Sequence, residues 1–212
     1  MMFKDRSDAG RQLAQKLLSY QGQANTIVFG LARGGVVVAY EVARILSLPL
    51  NVLVPRKIGA PGNPELALGA VAEDGELMLN EEIVSDLGVS PALIQEAARQ
   101  AKALSDQRLL KYRQCAPLGN LQGKTAIVID DGIATGATML IEIQSLRKRG
   151  LRKIIAAAPV AALDAWSAIQ KVCDEAVCLH VATDFGGISE FYLDFAQVED
   201  EQVQSLLQRG KR

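Results

Sequence analysis

Reactive side chains are scarce in this 212-residue sequence: His180 is the lone histidine and Trp166 the lone tryptophan, and there are only three cysteines, Cys115, Cys173 and Cys178. No C-x-x-C pair occurs, and His180 is the one nitrogen ligand that could join the thiols, so the cysteines read as reduced thiols rather than a zinc site or a disulfide framework. No Ser-His or Cys-His pairing is evident, which removes the usual routes to a covalent intermediate. Neither sign of charge prevails: 23 Lys and Arg meet 24 Asp and Glu. Without a broad basic surface, nucleic acid held by its backbone is not expected. The N-terminus has no apolar leader core, and no apolar run approaches the roughly 18 residues of a membrane span, so a cytoplasmic protein with no membrane partner is expected. About half the residues, 49%, are hydrophobic. That suffices for a sizeable core, and a single domain over residues 1–212 is expected.

What is present is concentrated in Ala126 to Thr138. Ala126, Ile127, Val128 and Ile129 form an uninterrupted apolar run, as in a strand buried on both faces of a parallel sheet. Asp130 and Asp131 follow, then Gly132, Ile133, Ala134, Thr135, Gly136, Ala137 and Thr138. From Gly136 onward Met139, Leu140, Ile143 and Leu146 recur at helical spacing, with Arg147, Lys148 and Arg149 in the last turn and Gly150 as a stop. A small-residue loop at a helix N-terminus offers unpaired backbone N–H groups at the positive end of the helix dipole, which suits a phosphate monoester. The adjacent carboxylates suit vicinal hydroxyls. Together they describe a ribose 5-phosphate, with the diol on the acids and the phosphate on the loop. The Walker A ending in Gly-Lys-Ser/Thr is missing, as is the dinucleotide pattern G-x-G-x-x-G.

Residues 128–138 resemble the phosphoribosyl pyrophosphate (PRPP) signature of type I phosphoribosyltransferases, and stretches 33–35 and 55–71 are similar to a bacterial branch of predicted phosphoribosyltransferases. The resemblance implies that Asp130 and Asp131 bind the ribose hydroxyls, directly or with Mg²⁺, and that Gly132 and Ala134 to Thr138 receive the PRPP 5-phosphate side. Gly-rich Ala32-Arg33-Gly34-Gly35, between a strand at 26–30 and a helix through Leu46, resembles the family's pyrophosphate loop. A tight βα turn beside a solvated Arg is the rival reading. Arg56 and Lys57 follow a strand at 51–54 and either reach pyrophosphate oxygens or remain solvated. Asp130, Asp131, Arg33 and Lys57 are the residues on which the transfer is expected to depend.

Residues 55–65, with three prolines and two glycines, read as an irregular segment where the family keeps a flap. Leu66 to Ala72 and Glu76 to Leu79 read as a hairpin around Glu73-Asp74-Gly75. The flap is thus placed at about 55–80. Ser90-Pro91 opens a long helix to about Tyr112. Strands at 153–160 and 176–181 enclose a helix at 163–172, completing an α/β fold with a mostly parallel central sheet flanked by helices. Four aromatics gather near the end, Phe185, Phe191, Tyr192 and Phe195, in a hood at about 182–197. The resemblance makes Phe185 the residue stacked on a base, while the other three read as core packing, and a polar helix at 198–208 closes the chain.

The implied reaction is displacement of pyrophosphate from C1 of PRPP by a small-molecule nitrogen acceptor, nucleobase-like, with Mg²⁺ as cofactor and a homodimer as the expected assembly. Two alternatives stand beside it: a PRPP-binding regulatory protein without turnover, and a metal-dependent phosphosugar hydrolase.

Overall fold

A computed structural model describes residues 2–60 and 63–210. The first helix, α1 (Arg6–Lys16), is capped by Asp5, whose carboxylate accepts the Asp8 N–H at 2.7 Å, and it buries Leu13 and Ala14. A short 3-10 turn at Leu18–Tyr20 follows it. Strand β1 (Thr26–Leu31), helix α2 (Gly34–Leu46) and strand β2 (Leu50–Leu53) form the first βαβ unit.

The expected irregular segment is instead mostly strand: β3 (Arg56–Ala60) pairs antiparallel with β4 (Asn63–Val71), and Pro61 and Gly62 lie outside the described residues. Prolines and glycines suggested an absence of strand, but Ile58 and Ala60 are buried in alternation with Lys57 and Gly59, against Leu68 and Val71 and Ala101 of the next long helix. Register shifts at Gly59 absorb the irregularity. Strand β5 (Leu77–Leu79) joins β4 through the expected turn, completing a three-stranded sheet of order β3-β4-β5. Helix α3 (Glu81–Asp86) follows; it is too short to show a helical period in sequence. Helix α4 (Pro91–Cys115) starts as expected, with the Ser90 hydroxyl accepting the Leu93 N–H.

The second half supplies β6 (Thr125–Ile129), α5 (Ala137–Lys148), β7 (Lys153–Ala162), α6 (Leu163–Gln170), β8 (Glu175–Ala182) and α7 (Asp200–Arg209). The central sheet is five-stranded and wholly parallel, in the order β2-β1-β6-β7-β8. Every residue of β6 is buried, as its apolar run requires. Helix α7 is amphipathic rather than polar throughout, with Val203 and Leu207 buried beside Leu46 and Tyr112. Trp166 is core, and His180 packs its ring 5.5 Å from that of Phe191. Among the described residues no helix is long and apolar enough to cross a membrane.

Candidate functional site

The register of β1 against β6 pairs Gly30 with Ile129, so the residues that follow these strands leave the sheet side by side at its C-terminal edge. This is where the strand order reverses direction, and ligands of open α/β sheets bind in the crevice outside such a point. From β1 come Ala32 to Gly35, with the Ala32–Arg33 peptide cis. From β6 come Asp130 and Asp131. The loop beyond is tied to β7: the Ile133 N–H donates to the Val160 carbonyl at 2.9 Å and the Ala162 N–H to the Ile133 carbonyl at 2.8 Å.

Gly136 has φ +76°, a left-handed conformation that glycine adopts without strain, and it caps α5. The head of α5 thereby reaches the same cleft as the acids, through Gly136 and Thr138. Thr135 is exposed and Thr138 half-exposed beside them. A cleft of about 180 Å³ is bounded by Asp130 to Gly136, Thr138, Ala32 and Lys57, with Ile188 as its wall from the C-terminal hood. The acidic pair, the loop at the head of α5 and part of the glycine loop thus share one space. Thr135 also borders an apolar cavity of about 440 Å³ between the β4–β5 hairpin and α5, and Lys57 and Thr138 border an open trough running along β3 and α4.

Gly34 and Gly35 face the acids directly. A Cβ at Gly35 would lie 2.9 Å from the Asp130 Cα and 3.0 Å from its Oδ1, and one at Gly34 would collide with the Asp131 carboxylate. The glycines of this loop thus make room for the carboxylates themselves, which the sequence reading did not anticipate.

The two carboxyls have different surroundings. Burial, then the neighbouring Asp131 charge, push Asp130 well above the ordinary carboxylate range; the backbone N–H of Asp131 and the Lys57 ammonium act in the opposite direction. The Asp131 N–H donates to Asp130 Oδ1 at 2.9 Å. Asp131 itself is paired: Arg6 Nε donates to its Oδ2 at 2.6 Å, and the Tyr192 hydroxyl donates to its backbone carbonyl at 2.5 Å. Neither Arg6 nor Tyr192 was marked as a site residue by the sequence. Arg6 lies in the polar first turn of an amphipathic helix and looks solvated there, and no local pattern reveals a partner 125 positions away.

The basic residues divide. Lys57 lines the cleft, whereas Arg56, half-buried on β3, lines the outer trough. Burial, then the charges of Arg108 and Arg33, lower the Arg56 pKa, opposed by Asp200. Arg33 turns from the cleft to Glu199, Nη1 to Oε2 3.1 Å. Glu199 is largely exposed, and such an ion pair contributes little, about 0–1 kcal/mol, so a competing anion can take the guanidinium. Phe185 does not line the cleft; it stacks on Phe191 with ring centroids 5.4 Å apart, in the cluster against which Ile188 also packs. As charged metal donors the cleft offers Asp130 and Asp131, and no group of three or more His, Cys, Asp or Glu able to hold an ion occurs among the described residues. Two carboxylates suit a hard cation that arrives with substrate oxygens better than a resident one.

Comparisons with known proteins bear on this arrangement. A family model described as the phosphoribosyl transferase domain matches residues 3–196. A Mycobacterium tuberculosis H37Rv protein, provisionally named a phosphoribosyl transferase, is 40% identical over 211 residues, covering 100% of this chain and 47% of its own length. The chain therefore spans about half the length of the curated relatives it matches. Among solved structures, the TT1426 protein from Thermus thermophilus superposes with a TM-score of 0.83 at 39% identity, over 100% of both chains. The AQ2163 protein from Aquifex aeolicus gives a TM-score of 0.50 at 13% identity over 83% of this chain and 74% of its own, a likeness of fold alone.

Proposed function

Because the chain belongs to the phosphoribosyl transferase domain family, we propose that its cleft binds PRPP and displaces the pyrophosphate with a nitrogen nucleophile of nucleobase-like chemistry. The observation that carries this is the run from Asp130-Asp131 through Ala134, Thr135, Gly136 and Thr138 at the head of α5, which borders one cleft beside Ala32 and Lys57, while Ala137 faces the neighbouring apolar cavity. The acids accept hydrogen bonds from the ribose diol, and the loop N–H groups with Thr135 and Thr138 hold the 5-phosphate. The backbone of Ala32 to Gly35 and Lys57 face the diphosphate, and Arg33 joins them by exchanging Glu199 for a phosphate oxygen. Arg56 reaches the same anion from the trough side. Ile188 meets the acceptor from the hood, with Phe185 packed in the same cluster.

In the reaction the bond from C1 to the pyrophosphate oxygen breaks with its electron pair leaving on pyrophosphate. A bond from the acceptor nitrogen to C1 forms, and the displaced N–H proton passes to solvent. No side chain has to become covalently bound. The protein's contribution is alignment, charge stabilisation and exclusion of water. Mg²⁺ bound to the diphosphate would screen its charge, with Asp130 and Asp131 as the available protein ligands.

Titration calorimetry with PRPP and Mg²⁺, followed by a pyrophosphate-release assay against bases and small amines, tests the reading. Binding with acceptor-dependent release is the expected outcome. Binding without release across the panel would favour a regulatory PRPP-binding protein, and release of ribose phosphate without an acceptor would favour a hydrolase. Absence of binding would overturn the assignment.

A further inference from the structure

Asp131 is held from behind by a side chain that does not line the cleft. The Arg6 guanidinium uses Nε on Asp131 Oδ2 at 2.6 Å and Nη1 on the Ala196 carbonyl at 2.8 Å, and its Cζ lies 3.7 Å from the centre of the Phe195 ring. Both charged side chains are nearly out of water, 11% and 12% exposed. Gly34 backs onto the pair closely enough that a Cβ there would stand 2.8 Å from Arg6 Nε. A charged pair placed this way needs good geometry to repay its desolvation, and a guanidinium supplies it through a planar fork and a face for stacking.

From this geometry we infer that Arg6 is a positioning residue for Asp131. The inference rests on the reading that the acidic pair takes the ribose diol. Arg6 occupies Oδ2, which leaves Oδ1 as the acceptor turned to the ligand and fixes the carboxylate's orientation before the ligand arrives. Arg6 spends Nε on Asp131 and Nη1 on Ala196, stacks on Phe195 and does not line the cleft, so it acts through Asp131 and not as a ligand of the diphosphate.

The rival role is a tie that merely fastens the tail at 191–196 to α1. The Phe3 N–H donates to the Phe191 carbonyl at 2.8 Å and the Leu193 N–H to the Phe3 carbonyl at 2.9 Å, so the tail has other fastenings. The two roles separate by affinity. If Arg6 works through the charge and direction of Asp131, Lys restores part of its effect, because an ammonium can pair with one carboxylate oxygen although it can neither fork nor stack. If Arg6 works by fastening the tail, Phe195→Ala should harm binding as much as loss of the arginine does.

The experiment is calorimetric titration of PRPP with Mg²⁺ into the unsubstituted chain and into Arg6→Gln, Arg6→Lys and Phe195→Ala, each checked for folding by thermal melting. The expected result is affinity weakened about tenfold or more in Arg6→Gln, an intermediate loss in Arg6→Lys, and near-normal affinity in Phe195→Ala despite a lower melting temperature. Affinity within about twofold in Arg6→Gln overturns the inference. So does a Phe195→Ala loss as large as that of Arg6→Gln, or an Arg6→Lys loss equal to it. Should Arg6→Gln fail to fold, Arg6→Lys against Phe195→Ala decides: the inference stands if Arg6→Lys weakens binding more than Phe195→Ala does and falls otherwise. No binding by the unsubstituted chain would bring down the PRPP reading, and the inference with it, whereas the other outcomes leave that reading intact.

Discussion

At the scale of single residues, the site leans on Gly34, which lies against both Asp131 and Arg6. Asp130 and Asp131 announce themselves by following an apolar strand and preceding a small-residue loop. Arg6 and Tyr192 carry no such signal, because a contact across the whole chain depends on tertiary placement. Gly34 shows the difference most sharply. Its sequence reading, freedom for an anion to approach the backbone, is supplemented by a steric demand from Asp131 and Arg6. Asp131 and Arg6 are paired to each other, and Arg6 is also held by Ala196 and Phe195, so a methyl group has to displace a nearly buried ion pair. Gly34→Ala is therefore expected to cost about 1–3 kcal/mol of stability, the usual range for overpacking. Urea unfolding checks it: the midpoint should fall with an unchanged slope. A midpoint matching the unsubstituted chain would mean that the loop moves aside freely.

At the scale of elements, the β4–β5 hairpin is fastened to its neighbours by a charged cluster. Glu73 in its turn receives Arg113 of α4 at 2.7 Å and Arg149, just past α5, at 2.6 Å, while Asp74 accepts the Ser145 hydroxyl of α5 at 2.6 Å. Glu142 on α5 is fully buried beside them, and among the described residues neither of its carboxylate oxygens has a partner in good hydrogen-bond geometry, although the Glu73 N–H acts to lower its pKa. Burial foremost, then the Glu73 charge, with Asp74 adding and Arg149 opposing, raise its pKa from 4.5 to about 8. Arg113 also faces it.

The folded chain thus binds a proton on Glu142 that the unfolded chain has released, and the stability linked to that proton is fully present below pH 4.5 and lost as pH rises through about 8. Glu142→Gln removes the titration while keeping the shape of the neutral acid. The melting temperature of the unsubstituted chain should fall relative to the variant between about pH 4.5 and pH 8 and run parallel to it above that. Parallel curves for the two proteins would show that Glu142 does not titrate in this window. Sequence patterns located the hairpin turn and both helices, since these follow local periodicity. They missed β3, whose alternation is obscured by flanking Pro and Gly, and they gave no hint that an acid at helical position 142 would be enclosed by three elements.

At the scale of the whole molecule, the alternation of strands and helices made a parallel sheet legible, but the order β2-β1-β6-β7-β8 is not written in any local segment. That order places β1 beside β6, and only then do a glycine loop and an acidic pair about 100 residues apart become one site. The consequence is that a ligand in the cleft contacts the ends of several strands and helices at once, so its binding energy should appear in the stability of the entire fold. Mass action gives about 2.7 kcal/mol at a ligand concentration about 100 times Kd. For a chain of this size that corresponds to a rise of roughly 5–10 °C in melting temperature. PRPP with Mg²⁺ is expected to produce such a rise, and ribose 5-phosphate, which lacks the diphosphate, a smaller one. In Asp130→Asn the rise should be largely lost while the ligand-free melting temperature changes little, because the amide stands in for a carboxyl that burial already disfavours in its charged form. A full shift in that variant would remove Asp130 from the ligand's contacts. A ligand-free melting temperature well below that of the unsubstituted chain would show instead that Asp130 serves the fold, through the Asp131 N–H it accepts, rather than the ligand.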